Sequence, residues 1–282
     1  MRKTTFALWL HNPAGMTVEL TVIGSINVDY VARMERLPNP GETVAARQFE
    51  RHPGGKGANQ AVAAARLGAQ VTMIGAVGED EQAEFALGGL LEAGVELEVM
   101  RSGQTGVALI YVDMQGENEI AVFPGANASL APRELEGAVL CQLEVPDEVV
   151  FAAAEKASFF ALNAAPAREL DLDPDLLVVN RFEYEVMKRG KLVAVTHGED
   201  GAVLYENGKQ VAGSAAPAII PVDGTGAGDA FTAALVVSLL EGKPYEDALR
   251  FSCAAGARTA ATFGAQQSLP DRELLEGWIK NL

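Results

Sequence analysis

The sequence predicts an α/β fold: a doubly wound, mostly parallel central sheet flanked by helices, with a small β-sheet lid. Three observations predict it. Val18–Gly24 is a mostly apolar run, broken by Glu19 and Thr21, that reads as a parallel strand of the sheet's interior, and it ends in a polar tip, Ser25-Ile-Asn-Val-Asp29. Strand-like and helix-like segments then alternate along most of the chain. Between Thr105 and Pro124 that rhythm breaks into two short β-prone runs, Gly106–Val112 and Glu119–Phe123, joined by the hairpin-like Asp113-Met-Gln-Gly-Glu-Asn118.

Taken in order, the first residues carry Arg2 and Lys3 before a short apolar patch, Phe6–Leu10, which is too brief for a secretory signal. Residues 1–16 are expected to be a disordered extension, with Met16 as the start, and 17–282 to form the α/β domain. Pro38-Asn-Pro-Gly41 makes a turn. Glu42–Phe49 is expected to join the hairpin in the lid, whose segments run roughly over 28–52 and 105–124. Gly54-Gly-Lys-Gly57 feeds an Ala-rich helix, Ala58–Leu67, that Gly68 stops. Val71–Val77 and helical Glu81–Leu91 continue the rhythm, and Phe159–Asn163, Leu176–Asn180, Val193–Thr196 and Val203–Tyr205 resume it as strands. Gly224–Gly228 opens a helix through Leu240, ended by Gly242 and Pro244. Tyr245–Ala261 and Arg272–Ile279 read as closing helices.

Composition narrows the functions. Lys and Arg number 22 against 38 Asp and Glu, a net charge of −16, which suits neither nucleic acid nor an anionic membrane surface. The best apolar run, Ala233–Leu240, is far too short to span a bilayer. Cys141 and Cys253 make no disulfide framework and no C-x-x-C pair, so a reducing cytoplasm is expected. Three histidines supply no zinc cluster or HExxH, and there is no G-x-S-x-G elbow, P-loop or dinucleotide fingerprint.

The strongest local signal is Asp223-Gly-Thr-Gly-Ala-Gly-Asp229. Its glycines let successive backbone N–H groups converge, and the helix that follows adds its positive end, which together make an anion cradle. Asp229 at that start is either an N-cap or, aimed at a substrate hydroxyl beside a phosphate, a general base. Phosphoryl transfer needs an aligned hydroxyl, a proton acceptor and donors for developing negative charge.

This loop resembles the carboxyl-terminal signature of the ribokinase-like (PfkB) carbohydrate kinases, and Pro53-Gly-Gly-Lys-Gly-Ala-Asn-Gln-Ala-Val62 resembles their amino-terminal one. Gly24–Asp29, Leu37–Glu42, Gly116–Asn118, Gly125–Asn127, Gln142–Glu144, Leu162–Leu170 and Gly264–Ser268 extend the likeness in family order. The resemblance implies an ATP-dependent sugar kinase acting on the 5-hydroxyl of D-ribose, with another sugar or nucleoside (deoxyribose, fructose, adenosine) as the alternative, and a non-catalytic sugar-binding regulator behind it.

Carried over by position, the sugar ligands are Asn27, Asp29, Gly55, Asn59 and Glu144. Carboxylates and amides suit vicinal hydroxyls. Read alone, Asn27 and Asp29 are equally a strand-end turn, Asn59 a helix cap and Glu144 a loop acid. Asp229 resembles the catalytic base, and the amides of Gly226, Ala227 and Gly228 the anion hole. Asn180 and Glu183 resemble the N-x-x-E element that places Mg²⁺ and phosphates through water, a spacing a plain capping box shares. Thr196, Gly198 and Gly201 look like the nucleotide-side loop, and Cys253 matches an adenine-pocket position or is a small core residue. A K⁺ site is implied at Asp223 and the Thr225 carbonyl, joined by Thr259, Thr262, Gly264 and Ser268, most of these ligands being backbone carbonyls. Lys56 reads as a surface or lid-facing lysine, and Ala108 and Ile110 as lid residues facing the ring. Gly224 stands where the family usually has Thr, and the stretches Glu183–Val193, Pro132–Leu140 and Glu155–Phe159 are short. Exposed lid edges suggest a homodimer through the lid.

Overall fold

Continuous apolar runs bounded by turns become strands, and the Ala- and Leu-rich stretches between them become helices. The computed structural model describes residues 17–281, so the expected extension over 1–16 lies outside the described residues. In chain order the first strands are β1 (Glu19–Ile23), β2 (Asn27–Arg33), β3 (Gln48–Gly54), β4 (Gln70–Val77), β5 (Glu96–Arg101), β6 (Gly106–Val112) and β7 (Asn118–Phe123). They are followed by β8 (Ala138–Gln142), β9 (Phe159–Asn163), β10 (Leu176–Asn180), β11 (Leu192–Thr196), β12 (Ala202–Glu206) and β13 (Lys209–Ser214). The helices are α1 (Lys56–Arg66), α2 (Gln82–Glu92), α3 (Asp147–Lys156), α4 (Glu183–Val186), α5 (Ala227–Leu240), α6 (Tyr245–Ala260) and α7 (Arg272–Ile279).

Nine strands form one sheet in the order β13-β12-β11-β10-β9-β8-β1-β4-β5. It is parallel from β11 to β5, and β12 and β13 turn antiparallel at one edge. Side chains alternate between its faces, as a pleated strand requires. Leu140 and Val22 join a core with α1, α5 and α6, whereas Val139, Cys141 and Ile23 join a second core with α3. α5 is apolar on every side and almost wholly buried, so it is a core helix whose first turn alone reaches a site.

The smaller sheet runs β3-β2-β6-β7. β2 is antiparallel to β3 and parallel to β6, and β6–β7 is the hairpin. The strand expected at Glu42–Phe49 lies instead at Gln48–Gly54. Residues 42–47 stay outside the sheet, and Arg47 N–H bonds Arg33 O at 2.7 Å just where the ladder begins. Strands β5, β8 and β13 and helix α3 were not anticipated.

Three residues, Gly24, Ser25 and Ile26, separate β1 of the large sheet from β2 of the small one. The chain therefore changes sheets at the carboxyl end of a central strand, where open α/β sheets bind ligands. The carboxyl ends of β8, β9, β10 and β11 open on the same side, followed by Glu144, Asn163, Asn180 and Thr196. Among the described residues, no helix is long and apolar enough to cross a membrane.

Candidate active site

One cleft of about 790 Å³ lies between the two sheets. Its lining includes Asn27, Asp29, Gly55, Asn59 and Glu144 from one side and Gly226, Gly228 and Asp229 from the other. Two motifs some 170 residues apart thus meet, and they touch: Asn59 Nδ2 donates to Asp229 Oδ2 at 2.9 Å.

Asp229 does not cap its helix. Gly226 holds the cap position with φ at +78°, and Asp229 sits in the first turn with its carboxylate turned toward α1. Gln60 Nε2 donates to Asp229 Oδ1 at 2.9 Å and to Asn163 Oδ1 at 2.9 Å, while Gln142 Nε2 donates to Gln60 Oε1 at 2.7 Å. Hydrogen bonds to a charged group contribute about 1.5–3 kcal/mol each, which offsets part of the cost of burying this carboxylate. The result is a fixed proton acceptor beside the positive end of α5. Of the three expected anion-hole amides, Gly226 and Gly228 line the cleft. The Ala227 N–H is used within the loop, donating to Gly224 O at 3.2 Å.

The residues expected to bind the sugar owe their places to close backbone contact. Gly55 has φ at +92°, and a Cβ there would lie 2.7 Å from Ser25 O. A Cβ on Gly54 would strike the Asp29 carboxylate at 2.1 Å, and one on Gly57 would meet the Gly24 backbone at 2.6 Å. The three glycines press α1 against the β1–β2 junction. Asn127 orients the junction from a distance, bonding Ile26 N–H at 2.9 Å and donating to Asn27 Oδ1 at 2.8 Å. Glu144 accepts from Ser25 Oγ and from the Lys56 N–H at 3.3 Å.

The cleft is crowded with acids. Burial, then Glu144 and Asp229, push the Asp29 carboxyl up to about 7, against the pull of Lys56. Lys56, read as a surface or lid-facing lysine, lines the cleft. Burial works against its charge, but Asp229, Glu144, Glu183 and Asp29 outweigh it and hold the ammonium above its ordinary value.

On the nucleotide side, Asn180 and Glu183 form a reciprocal capping box: Asn180 N–H donates to Glu183 Oε2 at 2.7 Å, and Glu183 N–H to Asn180 Oδ1 at 2.9 Å. Both still line the cleft, as does Thr196. Burial raises the Glu183 carboxyl, with the Asn180 amide and Lys56 opposing it. Gly198 and Gly201 lie beyond the lining, where Gly201, at φ +96°, packs on Ser214 O. Cys253 sits in the core shared with α5, its Sγ 3.7 Å from Ser214 O, and burial pushes its thiol up to about 11. It is a packed helix residue outside the cleft lining.

The implied metals fare differently. Glu183 offers one carboxylate, half engaged by Asn180, and no group of three His, Cys, Asp or Glu side chains suited to a metal occurs among the described residues. That fits Mg²⁺ carried on nucleotide phosphates with its own waters, the way this ion is usually held. The K⁺ set does not fit. Asp223 Oδ1 accepts from Thr225 N–H at 3.0 Å, and Oδ2 accepts from Gly264 N–H and from Arg33 Nη2, both at 3.2 Å. Ser268 Oγ donates to the Gly264 and Ala265 carbonyls, and the one carboxylate of the set already faces a guanidinium.

Gln60, Gln142, Asn163, Asn127 and Arg33 were not singled out from the sequence as site residues. Gln60, Asn127, Gln142 and Asn163 lie inside segments that carry the family likeness, which was the available signal; Arg33 has no local mark.

Comparison with known proteins agrees with this geometry. Residues 18–183 and 177–272 match the family described as pfkB family carbohydrate kinase. Ribokinase from Bacillus subtilis (strain 168) is 36% identical over 288 residues, spanning 91% of this chain and 98% of that protein. The crystal structure of ribokinase from Thermotoga maritima superposes with a TM-score of 0.82 at 30% identity, covering 94% of this chain and 100% of that one. The structure of Arabidopsis thaliana ribokinase complexed with ribose and ATP superposes with a TM-score of 0.78 at 30% identity, covering 94% and 99%.

Proposed function

The chain belongs to the pfkB family of carbohydrate kinases, and within it we propose that the protein transfers the γ-phosphoryl group of ATP to the 5-hydroxyl of D-ribose. The observation that carries this reading is the shared cleft in which Asp229 bonds Asn59 and faces Asn27, Asp29 and Glu144. Asp29 and Glu144 accept hydrogen bonds from the sugar's vicinal hydroxyls, and Asn27, Asn59 and Gly55 fix its orientation. Asp229 takes the proton of the 5-hydroxyl as that oxygen bonds the γ-phosphorus and the bond to the departing ADP oxygen breaks. The Gly226 and Gly228 amides meet the charge that develops on the phosphoryl oxygens; one such donor contributes about 3 kcal/mol at a transition state. Lys56 supplies a fixed positive charge among four carboxylates. Asn180, Glu183 and Thr196 border the nucleotide phosphates, and Mg²⁺ bound to those phosphates neutralises part of their charge. K⁺ has no part in this reading, because Asp223 is engaged by Arg33.

The small sheet acts as the lid, with Ala108 and Ile110 turned to the sugar and water excluded on closure. Its other face exposes Leu109 and Tyr111, and β7 is an apolar edge strand with Phe123 exposed. An edge of this kind invites pairing, which supports a homodimer through the lids. Light scattering is expected to read a dimer mass for the wild type and a monomer mass for Leu109→Glu; a wild-type monomer overturns this part. The free, buried Cys141 and Cys253 support a cytoplasmic location.

The deciding assay is ADP release over ribose, deoxyribose, fructose and adenosine. Ribose is expected to give the highest kcat/KM, and no release with any of them overturns the reading. A pH series adds a specific signature. Asp29 stays protonated below about 7 and then accepts one fewer hydrogen bond from the sugar. Ribose affinity is therefore expected to weaken as the pH falls below about 7, by at most about tenfold per unit and by no more in total than one lost hydrogen bond is worth, and to level off above it. A flat profile from pH 5.5 to 8 is the contrary result.

A further inference from the structure

Arg33 lies on β2, four residues after Asp29 and on the same face of the strand. Its guanidinium crosses to the opposite motif: Nη2 is 3.2 Å from Asp223 Oδ2, and Cζ stacks 4.2 Å from the Phe263 ring. Glu50 Oε2 lies 4.0 Å from its Nε and 3.6 Å from His52 Nε2, and Gln267 Nε2 contacts His52 Nδ1 at 2.8 Å. Arg33 and Asp223 are both mostly buried, with side-chain exposures of 23% and 14%. Asp223 in turn bonds the Thr225 and Gly264 amides, so it pins the loop that leads to Gly226 and Gly228.

We propose that the Arg33 guanidinium stands in for a monovalent cation at Asp223, setting the 223–228 loop from the lid strand. An inorganic cation there would need the carboxylate oxygen that Arg33 already holds, and would sit against a like charge that does not deprotonate. Arg33 is a positioning residue. It touches the loop, and the loop's amides meet the phosphoryl group. The same strand carries Asp29 to the sugar and Arg33 to the loop, so the lid reaches both ends of the reaction. This role rests on the kinase reading, but its first test does not need turnover.

Thermal midpoints are compared in potassium chloride and choline chloride at equal ionic strength, for wild type, R33Q and R33K. Wild type is expected to be the same in both salts. R33Q is expected to gain about 2 °C or more in potassium, because the vacated carboxylate now binds the ion. In the ADP assay, R33Q is expected to lose at least about tenfold in kcat in choline, with little change in ribose KM, and to recover most of it in potassium. R33K, which keeps the charge, is expected to need potassium less than R33Q. A wild type whose midpoint or turnover rises in potassium overturns the proposal, as does an R33Q enzyme equally active in both salts. Should R33Q not fold, the wild-type comparison in the two salts still decides. Absence of turnover in every sample, with the midpoints behaving as expected, places the failure in the kinase reading instead.

Discussion

Asp229→Asn is expected to lower kcat by about 10³-fold, the typical worth of a positioned general base. Ribose affinity is expected to stay within a few-fold, because Asn27, Asp29, Gly55 and Glu144 keep their places in the cleft. The fold tolerates the change for a specific reason. The new amide places a donor against the Asn59 or Gln60 donors, but Asn59 Oδ1 is buried without a partner. A flip of the Asn59 amide turns that acceptor toward the new donor and restores the pair. Asp229 is also one of the charges that raise Asp29, so its removal is expected to shift the acid limb of ribose binding to lower pH. Pre-steady-state ADP release and isothermal titration measure the two effects separately. A variant with wild-type kcat would show that the proton leaves by another route.

Gly55→Ala is the second large effect. A non-glycine residue at φ +92° is strained by about 1–3 kcal/mol. The added Cβ also meets Ser25 O at 2.7 Å and Asn27 N at 2.9 Å, both backbone, and forcing such overlap costs about 1–3 kcal/mol more. A fall in thermal midpoint of about 5–15 °C is expected. Turnover is expected to fall as well, since α1 must retreat from the junction and takes Asn59 with it. Gly41→Ala is the control: φ there is +84°, but nothing lies within 4 Å of the Cβ, so only the strain remains. Equal losses in the two variants would mean that close approach at Gly55 is unimportant.

The sequence revealed what depends on local pattern. The glycine motifs, the apolar strands from β9 to β12, the hairpin and the long helices all carry their signals within a few residues. What stayed hidden depends on distant partners. Gln60 matters because Asp229, Asn163 and Gln142 converge on it across separations of 169, 103 and 82 residues. Arg33 and Asp223 are 190 apart. Lys56 reads as a surface or lid-facing lysine because nothing near it in the chain tells of the four acids around it. β13 escaped notice as a polar edge strand, Lys-Gln-Val-Ala-Gly-Ser, whose membership of the sheet comes from pairing with β12. Ala227 had the right position for the anion hole, and only the loop's own Gly224 carbonyl diverts its amide.

The side chains that grip Asp229 are all carboxamides. Asn and Gln neither gain nor lose a proton across the ordinary range, so the posture of the base is insulated from acidity. Asp29, ringed by other carboxylates, has no such insulation. The response to acid that Asp29 introduces is therefore an adjustable property of its own side of the cleft. Re-engineering for acidic media belongs with Asp29 and its charged neighbours, while the amide cradle opposite is best left alone.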